Sequence, residues 1–222
     1  MILPQLSRYN LIFPDPLDAD DKGLLAHGGD LSTNRIMAGY TKGIFPWFKQ
    51  NDPILWWSPN PRFVLFLDDI HISKSLQKTI KKDTYEIKFN HDFASVIKEC
   101  AKAKRTDQEG SWITEDMIES YIQLHHQGFA HSFESYFEGK LVGGGYGVTL
   151  GDIFCGESMF TKKSDASKCA FVNLANRLKS LGFKIIDCQI HTKHLESFGA
   201  KHITREQYLK YVKDALNNPK EF

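Results

Sequence analysis

The stretch AHSFESYFEGKLVGGGYGVTLGDIFCGESMF, residues 130–160, decides the fold class of this chain. It contains three runs rich in aromatic, aliphatic and small residues, at 130–137, 141–150 and 153–160, and the short turns between them each hold a glycine. Runs of this length joined by such short turns predict three consecutive antiparallel strands. Helical patterns flank them on both sides, so we expect an α+β protein built around one central mixed sheet.

The other elements follow from hydrophobic periodicity and capping residues. After these strands the pattern predicts a helix over 167–181, a buried strand over 184–190 and a last helix opened by the capping box of Thr204 and Gln207. Before them it predicts a helix over 114–127 and, earlier, helices that start near Ser32, Ser73 and Phe93, with strands at 63–67 and 85–90. Prolines beside tryptophans in 43–62 argue against a long regular element there.

A domain boundary is predicted near residue 105. The charged stretch KAKRTDQEG, residues 102–110, interrupts the apolar patterning at this point. We therefore expect a smaller N-terminal α/β domain over 1–105 and a catalytic domain, with the central sheet flanked by helices, over 106–222.

Bulk properties exclude several classes of protein. The net charge of +1 makes any nucleic-acid surface a local patch. No CxxC pair occurs, so reduced, buried thiols are expected for Cys100, Cys155, Cys169 and Cys188. The N-terminus is unlike a signal peptide and no run approaches about 18 apolar residues, which predicts a cytoplasmic protein without a membrane partner. The nine histidines suggest no metal triad, so neither a metal nor another cofactor is expected.

Glu157 is the first candidate functional residue. In DIFCGESMF, strict strand alternation places Glu157 on one face with Ile153, Cys155 and Met159. A carboxylate among apolar neighbours is costly unless it is hydrogen-bonded or paired. A structural carboxylate and a ligand contact both fit this pattern.

Asp187 and Gln189 form the second candidate. In KIIDCQI they lie two residues apart and so share a face, with Ile186, Cys188 and Ile190 on the other face. An acid beside an amide at the end of a buried strand could orient an amine and accept its proton. A role of Asp187 in bonding the following loop is the structural alternative.

Two further patterns carry weaker signals. The glycines of LVGGGYG, residues 141–147, lie between two strands, so they predict a bulged strand and close approach of a ligand and not a nucleotide-binding loop. The segment 71–105 holds nine lysines and arginines against four acidic residues. A solvated helix face explains such a run, and a phosphate-binding patch becomes attractive only with other evidence for RNA.

Ten short motifs, in order along nearly the whole chain, resemble the leucyl/phenylalanyl-tRNA–protein transferases of bacteria. The combination of WWSPxPR, GESMF and IDCQ is the specific part of this resemblance. The matching stretches are GLLAHGGDLS (23–32), GIFPWF (43–48), PILWWSPNPR (53–62), SWIT (111–114), AHSFE (130–134), LVGGGYGV (141–148), FCGESMF (154–160), ASK (166–168), IDCQ (186–189) and FGA (198–200).

The resemblance implies a fold, a reaction and two partners. Its C-terminal part is similar to the acetyltransferase (GNAT) fold, with a smaller N-terminal domain packed against it. The implied reaction joins Leu, Phe or, less well, Met from aminoacyl-tRNA to the N-terminal Arg or Lys of an acceptor protein, which marks that protein for degradation. Replacing an ester by an amide is downhill, so the reaction needs no metal or nucleotide.

The resemblance also implies site roles. Asp187 with Gln189 looks like the proton-accepting relay, and Glu157 looks like a contact to the aminoacyl-adenosine end. Trp47 and Trp112 resemble the aromatics that hold the terminal adenine, with Tyr40 and Tyr121 in support. Ser158, Met159 and Ile186 are candidates for the wall of an apolar side-chain pocket, and alternation favours Met159 because Ile186 lies opposite Asp187. Lys74, Lys78, Lys81, Lys82 and Arg62 are the candidate tRNA contacts.

Two rival functions make different predictions. An acyl-CoA N-acyltransferase needs a Q/RxxGxG/A loop to cradle pyrophosphate, and here that place reads TKKSDASK, residues 161–168, without the glycines. A non-catalytic RNA-binding module leaves Asp187 and Gln189 unexplained. If Asp187 takes part in proton transfer, Asp187→Asn is expected to slow transfer and to spare the fold.

Overall fold

A small sheet occupies the N-terminal part of the computed structural model, which describes residues 3–103 and 111–222. Its strand order is β1-β2-β4-β3, with the strands at Gln5–Leu6 (β1), Leu24–Gly28 (β2), Phe45–Pro46 (β3) and Leu55–Trp57 (β4). The sequence analysis predicted no strands here, because their short lengths and the prolines hide the period-2 pattern. Indole hydrogen bonds help to hold these short strands, since Trp56 donates to the Gly28 carbonyl at 2.9 Å and Trp57 donates to the Trp47 carbonyl at 2.6 Å.

The central sheet has seven strands in the order β11-β5-β10-β9-β8-β7-β6. β9 and β10 pair in parallel and the other neighbours pair antiparallel, which confirms a mixed sheet in an α+β protein. The three predicted hairpin strands are β7, β8 and β9. The strands run over Arg62–Phe66 (β5), Glu86–Phe89 (β6), Ala130–Phe137 (β7), Lys140–Leu150 (β8), Ile153–Thr161 (β9), Ile185–Gln189 (β10) and Lys201–Ile203 (β11).

The helices begin where the capping residues predicted. Side chains of Ser32, Ser73, Thr114 and Thr204 each accept a backbone N–H of the first turn, and the capping box of Thr204 with Gln207 is complete. The helices run over Thr33–Tyr40 (α1), Lys74–Lys81 (α2), Phe93–Lys102 (α3), Glu115–His126 (α4), Ala166–Ser180 (α5), Lys193–Glu196 (α6) and Arg205–Leu216 (α7). Within the described ranges, none of the helices is long and apolar enough to cross a membrane.

Residue 105, the predicted domain boundary, lies outside the described residues. Strands from both sides of that position share the central sheet, since β5 and β6 precede it and β7 to β11 follow it. The division into domains at 105 therefore stays a prediction, and the central sheet extends across it.

The two faces of the central sheet carry separate apolar cores. One core joins the sheet to α1, α3, α4, α7 and the small sheet, and the other joins it to α2 and α5. Strand β10 illustrates the division, because Ile185 enters the first core and Ile186 enters the second. We call these the α1 face and the α5 face.

The glycines of β8 permit close packing. A Cβ at Gly143 would lie 2.7 Å from the Ala166 Cβ, and one at Gly145 would lie 2.6 Å from the Met159 side chain. The predicted bulge is present, since the β7–β8 register shifts between Ser135 and Tyr136. The expected approach of a ligand at these two glycines is wrong, because α5 and the neighbouring strand fill that space.

Candidate active site

Glu157 is the centre of a polar cluster on the α1 face. Its Oε1 accepts hydrogen bonds from the Tyr40 hydroxyl at 2.6 Å and the Gln189 amide at 2.7 Å, and its Oε2 accepts one from the Tyr121 hydroxyl at 3.2 Å. The two tyrosine hydroxyls are 2.9 Å apart. Four residues that are distant in sequence thus meet through one carboxylate, which we call the Glu157 cluster.

Helix geometry explains why the two tyrosines reach this point. Tyr40 ends α1 one turn after Ile36, and Tyr121 lies one turn after Met117 in α4. Residues at i and i+4 share a helix face, and all four of these side chains are buried. The phenol rings therefore pack with the apolar core while the hydroxyls extend to the carboxylate.

A β-bulge aims Glu157 at the tyrosines. Gly156 pairs with Gly147 and Ser158 pairs with Tyr146, so Glu157 is an extra residue in β9. An extra residue reverses the alternation of the strand after it. Met159 accordingly packs in the core of the α5 face, although Cys155, on the other side of the bulge, packs in the α1 face. The prediction that Met159 shares a face with Glu157 is wrong for this reason.

Asp187 lies on the same face and is completely buried. Its carboxylate forms a two-pronged ion pair with the guanidinium of Arg62, at 2.8 Å to Nε and 2.6 Å to the terminal nitrogen. The Tyr208 hydroxyl donates to Oδ2 at 2.8 Å, and the Gln189 backbone N–H donates to Oδ1 at 3.0 Å. Each oxygen thus accepts two hydrogen bonds, which leaves Asp187 little capacity to take a proton from a substrate.

Arg62 was expected at the tRNA surface, and the structure places it in the core instead. Its side chain is 1% exposed, and its guanidinium lies 4.3 Å from the Tyr208 ring centroid and 4.9 Å from that of Phe45. Burial lowers the pKa of Arg62, but the Asp187 carboxylate outweighs it and raises that pKa above its ordinary value. The guanidinium therefore remains charged and paired, which corrects its assignment as a phosphate contact.

Gln189 connects Asp187 to Glu157. The β5–β10 register shifts between Asp187 and Gln189, and Gln189 has a φ of 62°, in the left-handed region that a glutamine rarely adopts. Such a conformation costs on the order of 1–3 kcal/mol and persists only when neighbours enforce it. The hydrogen bond from the Gln189 N–H to Asp187 helps to enforce it, and the side-chain amide then reaches Glu157.

The strands that carry these residues diverge beside the cluster. The parallel register of β9 and β10 runs from Ile153–Ile185 to Cys155–Asp187 and ends there. Glu157 and Gln189 each lie two residues beyond that last pair. Glu157 is only partly buried, unlike Asp187. The Glu157 cluster therefore lies at an opening between two strands, where their pairing ends and Glu157 stays partly exposed.

Burial and charge shift the titration of the cluster. Burial and, less strongly, the negative charge of Asp187 raise the pKa of Glu157 to about 7, against the opposing hydrogen bonds from Tyr40, Gln189 and Tyr121. Burial also raises the pKa of both tyrosines well above the usual value, with the Glu157 charge as a second cause. Glu157 is therefore a carboxyl group that gains and loses its proton near neutral pH, between two neutral phenols.

The other predicted site residues lie in different environments. Trp47 is half-buried and meets the Trp57 ring edge-on with centroids 5.5 Å apart, whereas Trp112 is 7% exposed. Ser158 is also 7% exposed and lies opposite Tyr146 across the β8–β9 pair. Ile186 is 1% exposed and packs in the core of the α5 face. Ile186 and Met159 thus lie on the other face of the sheet from the Glu157 cluster, and their assignment as walls of the side-chain pocket stays a prediction.

The predicted lysines lie on an exposed helix. Lys74, Lys78 and Lys81 belong to α2 and Lys82 caps its C-terminus, and all four are solvent-exposed. None of the four forms an ion pair with another residue of the described ranges. Leu76 faces the core of the α5 face, so the opposite side of the helix presents the charges.

The sequence analysis missed Tyr208 and gave Arg62 a different role. The roles of Arg62 and Tyr208 depend on their contacts with Asp187, across 125 and 21 residues of chain. A signal did exist, because a buried arginine and a buried aspartate each need a partner of opposite charge. The sequence therefore shows that each of these residues needs a charged partner, but it does not show which residue that partner is.

The composition of the cluster matters for what it can do chemically. Among the described residues, no group of three or more histidine, cysteine, aspartate or glutamate side chains could hold a metal ion. The cluster does provide a carboxylate, an amide donor and two phenols in fixed positions. Such a set can orient an amine or ester and exchange a proton with it.

Comparisons with known proteins identify the family to which this chain belongs. The model of the leucyl/phenylalanyl-tRNA protein transferase family matches residues 64–213, and the model of the N-terminal domain of that family matches residues 29–60. A solved structure of L-PGS from Bacillus licheniformis matches with a TM-score of 0.41 and 13% identity over 74% of this chain and 55% of that chain, too distant a likeness to support any conclusion.

Relatives named leucyl/phenylalanyl-tRNA–protein transferase match nearly the whole chain. The protein from Sulfurimonas denitrificans is 50% identical over 94% of this chain and 90% of its own length. The protein from Myxococcus xanthus is 50% identical over 94% and 89%, and one from Pseudomonas fluorescens is 49% identical over 98% and 97%. On this evidence the chain belongs to the leucyl/phenylalanyl-tRNA–protein transferase family.

Proposed function

We propose that this protein transfers leucine or phenylalanine from aminoacyl-tRNA to the N-terminal Arg or Lys of an acceptor protein. The observation that carries the proposal is the Glu157 cluster at the opening between β9 and β10, which joins Glu157 of GESMF and Gln189 of IDCQ to two buried tyrosines. Marking of the product for degradation follows from that activity. A cytoplasmic location, where charged tRNA is found, goes with it.

The transfer reaction needs few catalytic groups, and the Glu157 cluster provides several of them. The acceptor amine attacks the ester carbonyl, a C–N bond forms, and the ribose oxygen leaves with a proton. The enzyme has to align the two substrates, stabilise the oxyanion and handle one proton. Gln189 and Glu157 lie at the opening where both substrates would meet, with Tyr40 and Tyr121 holding the carboxylate.

Asp187 has a positioning role in this proposal. Its hydrogen bonds to the Gln189 backbone and to Arg62 support the conformation of the β10 end. The predicted proton relay from Gln189 to Asp187 would require protonation of a carboxylate that is saturated with donors and paired with a buried guanidinium. Protonation would leave that guanidinium unpaired, which is strongly unfavourable.

Trp47 and Trp112 remain the proposed contacts of the terminal adenine. Trp47, which is half-buried, already has a ring edge against Trp57 and can offer its face to a base. Trp112 is 7% exposed, so it would contact the base through the small part of its ring that is exposed. Ser158, at the bulge beside Glu157, stays a candidate for contact with the aminoacyl group.

The GNAT-like fold is the structural part of the proposal. Three antiparallel strands, β7, β8 and β9, are followed by α5 and then by β10, parallel to β9. The parallel pair diverges at the Glu157 cluster. A crossover of this kind, with the substrate between the two diverging strands, supports an acyltransferase architecture.

A transfer assay with labelled Leu-tRNA and a peptide beginning with Arg tests the function. Product that requires the protein and disappears after RNase treatment of the donor is expected. A peptide that begins with acetylated Arg is the matched control and should stay unlabelled, because its amine is blocked. Labelling from acetyl-CoA instead would favour the acyl-CoA enzyme, and tRNA binding without transfer would favour the RNA-binding module.

The α2 lysines provide a test of tRNA binding. Substituting Lys74, Lys78, Lys81 and Lys82 with Gln should weaken binding and flatten its dependence on salt, by about 0.7 in slope for each lost phosphate contact to a single strand. The control is a second set of four exposed lysines, Lys22, Lys140, Lys210 and Lys213. An unchanged slope of log K against log salt in the α2 variant would mean that these lysines form only a solvated helix face.

A further inference from the structure

Glu157 and Asp187 are both carboxylates of the α1 face, and they differ in access and in free acceptor capacity. Asp187 is 0% exposed and its two oxygens accept four hydrogen bonds. Glu157 is partly exposed at the strand opening, and among the described residues its Oε2 accepts one hydrogen bond, the 3.2 Å contact from Tyr121. A lone pair of Oε2 is therefore available to a substrate.

We infer that Glu157 is the catalytic group that accepts the proton of the acceptor amine and returns it to the leaving ribose oxygen. This inference rests on the proposed function and assigns its proton transfer to one atom, Glu157 Oε2. Tyr40 and Gln189 occupy Oε1 and hold the carboxylate in place, so Oε2 faces the substrates.

The proton balance is complete within this scheme. The lone pair of the neutral amine attacks the ester carbon, and the carbonyl oxygen becomes negative. One N–H proton moves to Oε2, which turns the carboxylate into a carboxylic acid. As the carbonyl re-forms, the bond from carbon to the ribose oxygen breaks and that oxygen takes the proton from Oε2. Ester and amine become amide and alcohol, with Glu157 returned to its starting state.

The surroundings of Glu157 suit a group that cycles between the two protonation states. Groups that face it are Tyr40 from α1, Tyr121 from α4, Cys155 from its own strand, and Asp187 and Gln189 from β10. Of these, Asp187 is the one that forms an ion pair, and Arg62 is its partner. Burial raises the pKa of Glu157 to about 7, so the side chain can both take and release a proton near that pH.

Single-turnover transfer from preformed Phe-tRNA to an Arg-starting peptide, measured from pH 5.5 to 9, tests the inference with Glu157→Gln. We expect a loss of about 10²- to 10⁴-fold at pH 8, the usual contribution of general base catalysis. The acid limb of log rate against pH should fall in slope from about 2 to about 1, because one of the two groups that must lose a proton, Glu157 and the amine, is removed. Glu138→Gln, at an exposed turn, is the matched control and should behave as wild type.

A second donor separates proton transfer from charge recognition. Phenyllactyl-tRNA carries a hydroxyl in place of the donor's own α-amine. If Glu157 only bound that α-amine, its carboxylate would lack this binding partner in phenyllactyl-tRNA. If Glu157 is the base, Glu157→Gln loses the same large factor with this donor. Near-equal rates of the variant and the wild type with phenyllactyl-tRNA would overturn the inference, as would an unchanged acid limb. Absence of transfer by the wild-type protein would instead refute the proposed function, so the two failures are distinguishable.

Discussion

The Asp187 site and the Glu157 cluster differ in how each carboxylate is compensated. Asp187 is neutralised by the opposite charge of Arg62, whereas Glu157 is held by neutral donors from Tyr40, Tyr121 and Gln189. A buried ion pair fixes structure, because either partner alone is very costly. A carboxylate held by neutral donors can lose its charge at moderate cost. One carboxylate, Asp187, thus stabilises the fold, whereas the other, Glu157, is suited to catalysis.

The largest expected effect is on stability at the Asp187 site. Asp187→Asn leaves the buried Arg62 charge unpaired, so the free energy of unfolding should fall by about 3–5 kcal/mol. Urea unfolding at pH 7 measures this loss. It replaces the expectation that the variant spares the fold.

A double variant checks the cause of that loss. Adding Arg62→Met to Asp187→Asn removes the orphaned charge, and stability should recover in part towards that of the wild type. An unfolding midpoint for Asp187→Asn equal to that of the wild type would show that the ion pair does not stabilise the fold, and the comparison of the two sites would fail.

The second effect is smaller and has the opposite sign. The pKa of Glu157 is about 7 in the folded protein and ordinarily near 4.5, so the folded state binds this proton more tightly and loses stability as pH rises from about 4.5 to 7. Glu157→Gln cannot ionise and can keep the bonds to Tyr40 and Gln189 through its carbonyl oxygen. We expect the variant to match the wild type at pH 4 and to be more stable by about 1–2 kcal/mol at pH 8, a figure reduced for partial exposure. Thermal unfolding across pH tests this, and a less stable variant at pH 8 would contradict it.

The smallest effect distinguishes the two tyrosines. Hydrogen bonds from Tyr40 and Tyr121 both lower the pKa of Glu157, and the Tyr40 bond is shorter, at 2.6 Å against 3.2 Å. Tyr40→Phe should therefore raise that pKa further, by up to about one unit for a bond of about 1 kcal/mol, and Tyr121→Phe should raise it less. Carbon-13 NMR titration of the Glu157 carboxyl measures both shifts. Tyr9→Phe, a fully exposed tyrosine, is the control, and a larger shift from Tyr121→Phe would reverse the ranking.

Much of the local structure was predictable from the sequence. The capping residues Ser32, Ser73, Thr114 and Thr204 located four helices, and the glycine turns located the hairpin strands β7 to β9. Such signals depend on a few neighbouring residues. The small sheet was missed because its strands are two to five residues long and are completed by partners elsewhere in the chain.

The candidate site was only partly predictable. The sequence identified Glu157, Asp187, Gln189, Tyr40 and Tyr121, mostly through the resemblance of their motifs to those of a known family. It assigned Met159 to the wrong face, because strict alternation ignores the extra residue at the β9 bulge. It left open whether Asp187 takes a proton or only orients the amine, because nothing in IDCQ reveals that Arg62 and Tyr208 occupy its carboxylate.

The α+β class, most helix and strand positions, the family and most of the candidate site residues could be read from the sequence. Capping, turn chemistry and periodicity act over a few residues, so neighbouring residues are enough to reveal them. The folded chain was needed to show which carboxylate is saturated with hydrogen bonds, which one is open, and on which face each lies. Those properties depend on contacts such as Arg62 with Asp187 and Tyr40 with Glu157, which join residues 125 and 117 positions apart. Access and proton affinity are set by burial and by such partners, and both exist only once the chain has folded.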